Sequence, residues 1–300
     1  MIPELGLPID ILEPGAGLAP MVVSSPHSGA LYPASLLAAV ALERDHLRRL
    51  EDGCVDHLFA AAPDFGVPLL RARFARAYVD PNREAFELDP ELFEDGLPEF
   101  VNVASPKARA GLGTIPSRVG GRAIYRTRLT FAEAERRIRL AYWPYHDALQ
   151  LLLDRALARF GVALLLDCHS MPSLSANGSG GSDGLIDVAL GDRYGRTCAP
   201  EVVDRVEALL RRRGLTVARN RPYAGGHITA RYGRPQAGVH ALQIEVRRGL
   251  YMDERTFRPL AALDQLRPVV REMLADLAAF MTEDAPLRTI PDAAMQRSAS

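Results

Sequence analysis

Two histidines stand just beyond apolar runs where strands would end. His27 follows Met21-Val22-Val23-Ser24-Ser25-Pro26, and His169 follows Leu164-Leu165-Leu166-Asp167-Cys168. Neutral imidazoles carried together by neighbouring strands can share one ion, and a carboxylate would complete a three-ligand zinc site with a position left for water. Asp52 and Asp56, at the start of a helical stretch, are the nearest carboxylates by chain order. Taken singly, each histidine is more often a hydrogen-bonded structural residue. Two of them at strand ends, together with a strand-borne glutamate, favour a reactive centre. No HExxH helix is present, so the common metalloprotease pattern is absent.

The glutamate is Glu245, in the run Leu242-Gln243-Ile244-Glu245-Val246. An unpaired charge among such residues is costly, so it is either a general base or half of an ion pair with Arg247 or Arg248. A water activated by a metal still needs a proton acceptor, and the leaving nitrogen needs a donor. Asn82-Arg83, closing Tyr78-Val79-Asp80-Pro81, pairs an amide with a planar guanidinium fork suited to a carboxylate. Gly225-Gly226-His227-Ile228-Thr229 with Arg231 forms a second polar cluster, where glycines let backbone approach a ligand. His227 there is an oxyanion donor, a substrate contact or a structural residue. His46, His57, His146 and His240 lack such a setting.

Other chemistries fare worse. Gly180-Gly181-Ser182-Asp183-Gly184 matches GxSxG formally, but no apolar strand precedes it inside its Ser/Gly tract. There is no Walker A sequence and no complete GxGxxG at a strand-to-helix turn, which argues against a nucleotide cofactor. Lys107 is the only lysine among 36 basic residues and falls in an irregular stretch, which disfavours Schiff-base chemistry.

The elements that must position these residues read as an alternation. Residues 1–20 are a Pro/Gly-rich lead-in. Strands are expected at 21–25, 67–71, 77–80, 162–166, 185–190, 215–218 and 239–246. Helical spacing runs over 34–62, 129–160, 200–213 and 259–281, with Thr130 and Glu133 as a capping box. Residues 84–122 are dense in Pro, Gly and acid and read as an irregular insertion or lid, and 173–184 as a loop. Such alternation predicts an α/β fold with a mostly parallel central sheet and helices on both faces, in a single domain over 1–300. In such sheets ligands collect at the carboxyl ends of strands, where the candidates above lie.

A net charge of -1 with interspersed signs gives no footprint for nucleic acid. The arginine excess points instead to a few forks for carboxylates on a background of genome composition. Three cysteines, Cys54, Cys168 and Cys198, form no CxxC pair and suggest a reducing compartment. Neither a signal peptide nor an apolar run long enough for a membrane span is visible, so a cytoplasmic location is expected. Nothing in the sequence sets an oligomeric state.

Six segments in order, SSPHSGALYP, EDGCVDHLF, YVDPNR, LLLDCHSMP, GGHITARYGRP and HALQIEVRRGLYMDE, together resemble the N-formylglutamate amidohydrolases. That family is similar in architecture to zinc carboxypeptidases and aspartoacylase-like deacylases. The resemblance implies a phosphorylase/hydrolase-like fold and zinc-dependent hydrolysis of a small N-acyl amino acid, most closely N-formylglutamate. It further implies His27, His169 and Asp52 as metal ligands, with Asp56 the alternative, and Glu245 as general acid/base. Asn82 and Arg83 would clamp a substrate carboxylate, and His227 and Arg231 would make further substrate contacts. The His227 position is often Tyr in that family, and the loop around 175–184 is more Gly-rich here. These departures bear on the acyl group and amino acid accepted. A carboxypeptidase or deacylase for another carboxylate-bearing amide is the rival enzyme reading, and a non-catalytic metal- or carboxylate-binding module the rival outside enzymes.

Overall fold

The computed structural model describes residues 6–15, 17–173 and 185–283. Its centre is a seven-stranded sheet in the order β1-β3-β2-β6-β9-β7-β8. The strands are β1 (Ile9–Leu12), β2 (Met21–Ser25), β3 (Leu69–Ala72), β6 (Ala163–Met171), β7 (Val188–Gly191), β8 (Val217–Arg219) and β9 (Val239–Arg247). Pairing is parallel for β2 with β3 and β6, for β6 with β9 and for β7 with β8. It is antiparallel only for β1 with β3 and β7 with β9. Two small hairpins lie outside it, β4 (Arg118–Val119) with β5 (Arg122–Ala123) and β10 (Met252–Asp253) with β11 (Arg258–Pro259).

The helices are α1 (Ala34–Ala39), α2 (Arg44–Leu47), α3 (Val55–Leu58), α4 (Pro106–Arg109), α5 (Phe131–Arg137), α6 (Trp143–Phe160), α7 (Pro200–Arg212), α8 (His227–Tyr232) and α9 (Ala262–Glu283). Strand alternation splits the core. Ala163 and Leu165 of β6 pack into one apolar layer with Leu149, Leu152 and Leu153 of α6. Leu164, Leu166 and Cys168 pack into the other with Val206 of α7 and Leu274 of α9. A sheet buried on both faces needs near-continuous apolar strands, which β6 and β2 are. Among the described residues no helix is long and apolar enough to cross a membrane.

Several local expectations change. The lead-in contains β1, a half-exposed edge strand paired with β3. Residues 34–62 break into α1, α2 and α3 with turns between them, and Cys54, at φ 61 in the left-handed region, marks the break just before α3. Residues 77–80 form a buried turn, not a strand: Ala77, Tyr78 and Val79 are apolar because they enter the core. Residues 84–122 carry only short elements, yet Leu88, Leu92, Phe93, Val101 and Ile115 pack into the α6-side core. The segment 129–160 is helical as expected, with Thr130 accepting from the Glu133 amide, but a π-turn over Ile138–Tyr142 joins α5 to α6. The Gly180–Gly184 match to GxSxG lies outside the described residues.

Candidate metal centre and active site

His27, Asp52 and His169 are buried and come together, each with a ligand atom within 4.8 Å of the others. His27 follows β2 in a turn that requires Gly29, where any side chain would strike the Phe74 and Arg73 carbonyls. Asp52 lies just ahead of α3, held by its amide to the His27 carbonyl at 2.9 Å. His169 lies within β6 and pairs in register with Glu245 of β9. Asp52 Oδ2 is 3.2 Å from His27 Nδ1 and 3.0 Å from His169 Nδ1. Its other oxygen accepts from Arg248 Nη2 at 2.8 Å and Ser170 Oγ at 3.2 Å.

The far nitrogens are also held. His27 Nε2 meets Asp80 Oδ1 at 2.8 Å, and Asp80 Oδ2 accepts from Arg76 Nε at 2.8 Å. His169 Nε2 lies 3.1 Å from Asp167 Oδ2 and 3.1 Å from Asn82 Nδ2. A carboxylate can only accept, so Asp80 fixes the proton of a neutral His27 on Nε2 and leaves a lone pair on Nδ1. That lone pair faces the Asp52 carboxylate, an arrangement that calls for a cation between them. The separations of 3.0 and 3.2 Å are close to the edge of a tetrahedron with metal bonds of about 2.0–2.1 Å, roughly 3.3 Å. The residues therefore fit a divalent ion. Burial alone would lower the His169 pKa, but Asp167, Asp52 and Glu245 outweigh it and hold the ring well above its usual range. Burial likewise opposes a charge on Asp52, yet His169, His27 and Arg248 keep its carboxyl well below normal.

Glu245 is buried, and burial pushes its carboxyl up from the ordinary range. It accepts from Gln243 Nε2 at 2.8 Å, while Gln243 Oε1 accepts from the Gly226 amide at 2.7 Å. The ion pair weighed for it does not form. Arg247 pairs with Asp187 at 2.6 Å, and Arg248 with Asp52. This removes the main structural reason for a glutamate in β9.

Asn82 is locked, with Oδ1 accepting from the Ile228 amide at 2.8 Å and Nδ2 on His169. Arg83 directs Nε to the Leu112 carbonyl at 2.7 Å and Nη1 to the Asn82 carbonyl at 3.0 Å. The fork at the site is thus partly engaged by backbone. Arg231 is exposed on α8, with its guanidinium carbon 5.5 Å from the Tyr232 ring centre. His227 opens α8 and bonds Tyr142 Oη through Nε2 at 3.2 Å. Asp56 is a correction. It is taken by Arg71 of β3, Oδ2 to Nη1 at 2.9 Å, and stands outside the cluster.

Sequence reasoning missed the residues behind the site. Tyr142 and His146, one turn apart, donate to the carbonyls of Arg83 and Pro81 at 2.8 and 2.9 Å and brace the Asn82 turn from both sides. The π-turn ending at Tyr142 is what brings that hydroxyl onto the turn, and such bulges recur at functional sites. Asp80, two residues before Asn82, was visible in the motif, and the need of a metal-binding histidine for an outer carboxylate would have singled it out.

The model of the N-formylglutamate amidohydrolase family matches residues 19–252. The chain belongs to that family. His27, Asp52, His169 and Glu245 all fall within the match. Curated relatives include an N-formylglutamate deformylase of Pseudomonas aeruginosa, 32% identical over 91% of this chain and 98% of the relative. Another, from Pseudomonas putida, is 29% identical over 89% and 95%. Among solved structures, an N-formylglutamate amidohydrolase from Ralstonia eutropha matches with a TM-score of 0.86 and 39% identity, over 91% of this chain and 98% of that one. A protein from Agrobacterium tumefaciens shares the fold at a TM-score of 0.63 and 19% identity, over 91% and 95%.

Proposed function

We propose that this protein is a metal-dependent amidohydrolase that removes the formyl group from N-formylglutamate, releasing formate and glutamate. The observation that carries the reading is the His27–Asp52–His169 cluster with Glu245 in register beside it on β9. The names of relatives that align over nearly their whole length supply the substrate. His27, Asp52 and His169 would hold the ion, and two nitrogens with one oxygen at these spacings suit zinc. When bound, such an ion polarises the formyl carbonyl and makes water more acidic.

The protein's own residues do the rest. Glu245 takes a proton from the attacking water as the water oxygen bonds to the formyl carbon, and returns it to the nitrogen as the C–N bond breaks. Its raised pKa suits a group that must both accept and give. Gln243 fixes one of its oxygens and leaves the other free for the proton. Asp80 orients His27, and Arg248 keeps the second oxygen of Asp52 occupied so that Oδ2 is the one presented. Arg83, Asn82 and Arg231 would hold the substrate carboxylates. The test is metal analysis of the purified protein with amine release from N-formyl-L-glutamate. Stoichiometric zinc with release that stops on chelation and returns on zinc addition is expected. Full turnover by protein stripped of metal would overturn the reading.

A further inference from the structure

His227 has its hydrogen-bonding direction set from behind. Tyr142 Oη has one proton, which it gives to the Arg83 carbonyl at 2.8 Å. Toward His227 Nε2, 3.2 Å away, the same oxygen can only accept. Nε2 therefore carries the ring proton. Burial, and then the charge of Arg231, lower the pKa of the ring and disfavour a second proton. Nδ1 is left as a bare acceptor on a half-buried residue at the start of α8. His146 carries its proton on the same nitrogen, with Nε2 donating to the Pro81 carbonyl and Nδ1 accepting from Tyr232 Oη at 2.8 Å. One carbonyl and one tyrosine set its tautomer.

The position ties His227 to the reaction. The next amide, of Ile228, bonds Asn82 Oδ1, and Asn82 Nδ2 touches His169. The preceding amide, of Gly226, bonds Gln243, which bonds Glu245. The backbone on either side of His227 is thus tied to the cluster through Asn82 and to Glu245 through Gln243.

We propose that His227 recognises the amide N–H of the substrate through Nδ1, and that Tyr142 is the positioning residue that keeps the ring proton on Nε2. The proposal rests on the N-formyl amino acid reading above. At neutral pH the formyl oxygen and both carboxylates of N-formylglutamate only accept hydrogen bonds. The amide N–H is its single donor, so a bare acceptor can pair with that group and no other on the ligand. This replaces the expectation of His227 as an oxyanion donor, since Nδ1 has no proton to give. It also makes the site selective for secondary amides.

The test uses the full-length protein and has two arms. Ring nitrogen NMR at neutral pH should show His227 neutral with its proton on Nε2, and Tyr142→Phe should redistribute that proton between the nitrogens. A wild-type proton on Nδ1, or a doubly protonated ring, overturns the proposal. In kinetics on N-formyl-L-glutamate, His227→Asn, which can place an amide oxygen near the Nδ1 position, should keep kcat/KM within about tenfold of wild type. His227→Gln, whose amide falls near Nε2, should be lower than Asn by about tenfold. Equal loss, or Gln above Asn, overturns it. Wild-type preference for N-formylglutamate over its N-methyl analogue should shrink in His227→Ala, and an unchanged preference overturns it too. If the wild type releases no amine from N-formylglutamate, the functional reading fails and the N–H assignment falls with it. The tautomer is then judged by the NMR arm alone.

Discussion

Two pairs of histidines sit on the same side of the sheet and are treated in opposite ways. His27 and His169, with ring centroids 4.8 Å apart, have carboxylates at both nitrogens, from Asp52 in front and from Asp80 or Asp167 behind. His146 and His227, with centroids 5.9 Å apart, meet tyrosine hydroxyls and a backbone carbonyl. The acids make the first pair a place for a cation. Burial, and then nearby positive charge, push the second pair the other way, His146 down to about 3 and His227 below its usual value. The residue type is the same, and what the far nitrogen touches decides whether the ring is set up to hold a cation or to brace a turn.

The sharpest way to break this contrast is to remove one ring from each pair. His169→Ala should abolish both bound metal and amine release, because it takes away a ligand and leaves Asp52 and Asp167 facing each other's charge. His146→Gln should leave metal content at the wild-type level, since the Gln amide can still donate to the Pro81 carbonyl. Equal metal loss in both variants would mean that the two pairs do not differ as described. Next in size is Glu245→Gln, which keeps the shape and a partner for Gln243. Metal content and KM should hold while kcat falls by about 10²–10⁴, the range for losing a general acid/base. Steady-state kinetics with metal analysis reads both.

How much of this was legible in the sequence follows the same divide. The metal side is carried by β2, β6 and β9, and unbroken apolar runs announce such strands along with the His27, His169 and Glu245 they bear. The choice between Asp52 and Asp56 was open because both precede or open α3. What separates them in the structure is Arg71, which β3 delivers from another part of the chain to pair with Asp56. The neutral side was hidden. The π-turn over 138–142 shifts the phase of a long helix by one residue, which a periodicity scan averages away, so Tyr142 and His146 looked like ordinary helix positions. Residues 77–80 looked like a strand because burial alone makes a turn apolar. Some of the arginine excess lies in surface pairs such as Arg205 with Asp276, and Arg248 stood beside Glu245 in sequence while its guanidinium goes to Asp52.

The outer carboxylate should matter less than a ligand. Asp80→Asn keeps the size but can turn a donor toward His27 Nε2, which releases the proton from that nitrogen. Metal affinity or kcat should weaken by about 10–100-fold. A titration of stripped protein with zinc checks it, and unchanged affinity with unchanged kcat would remove Asp80 from the metal side of the comparison.

On the neutral side the consequence is a dependence of stability on pH. The folded-state pKa of His146 is about 3, against 6.5 for a free ring. Above about pH 6.5 the ring is neutral whether folded or unfolded and contributes no slope. Below that, only the unfolded chain takes up the proton, so stability is lost as pH falls toward the folded value, by about 1.4 kcal/mol per unit. Between pH 6.5 and 4.5 the loss from this group should reach about 2–3 kcal/mol. His146→Gln should lack that share, so denaturant midpoints of wild type and variant should converge on acidification. Parallel curves would show that His146 is not held neutral.

The smallest effect tests the finest distinction on the metal side. Asp56 stands four residues after Asp52, and in a continuous helix both would share a face. Here the turn through Cys54 separates them, and Asp56 pairs with Arg71 at the far end of a small network that includes Asp10. Asp56 is 12% exposed and Arg71 32%, so the pair is partly screened by solvent. Breaking it should cost no more than about 1 kcal/mol. Asp56→Asn should therefore lower the unfolding midpoint slightly and leave metal content, kcat and KM as they were. Asp52→Asn should do the reverse in kind: it replaces one of the carboxylate oxygens shared by two imidazoles and Arg248, so metal is lost even where the fold holds. If Asp56→Asn is the variant that loses metal, α3 must move to present Asp56 to the histidines. Arg71 would then be the residue that controls the site.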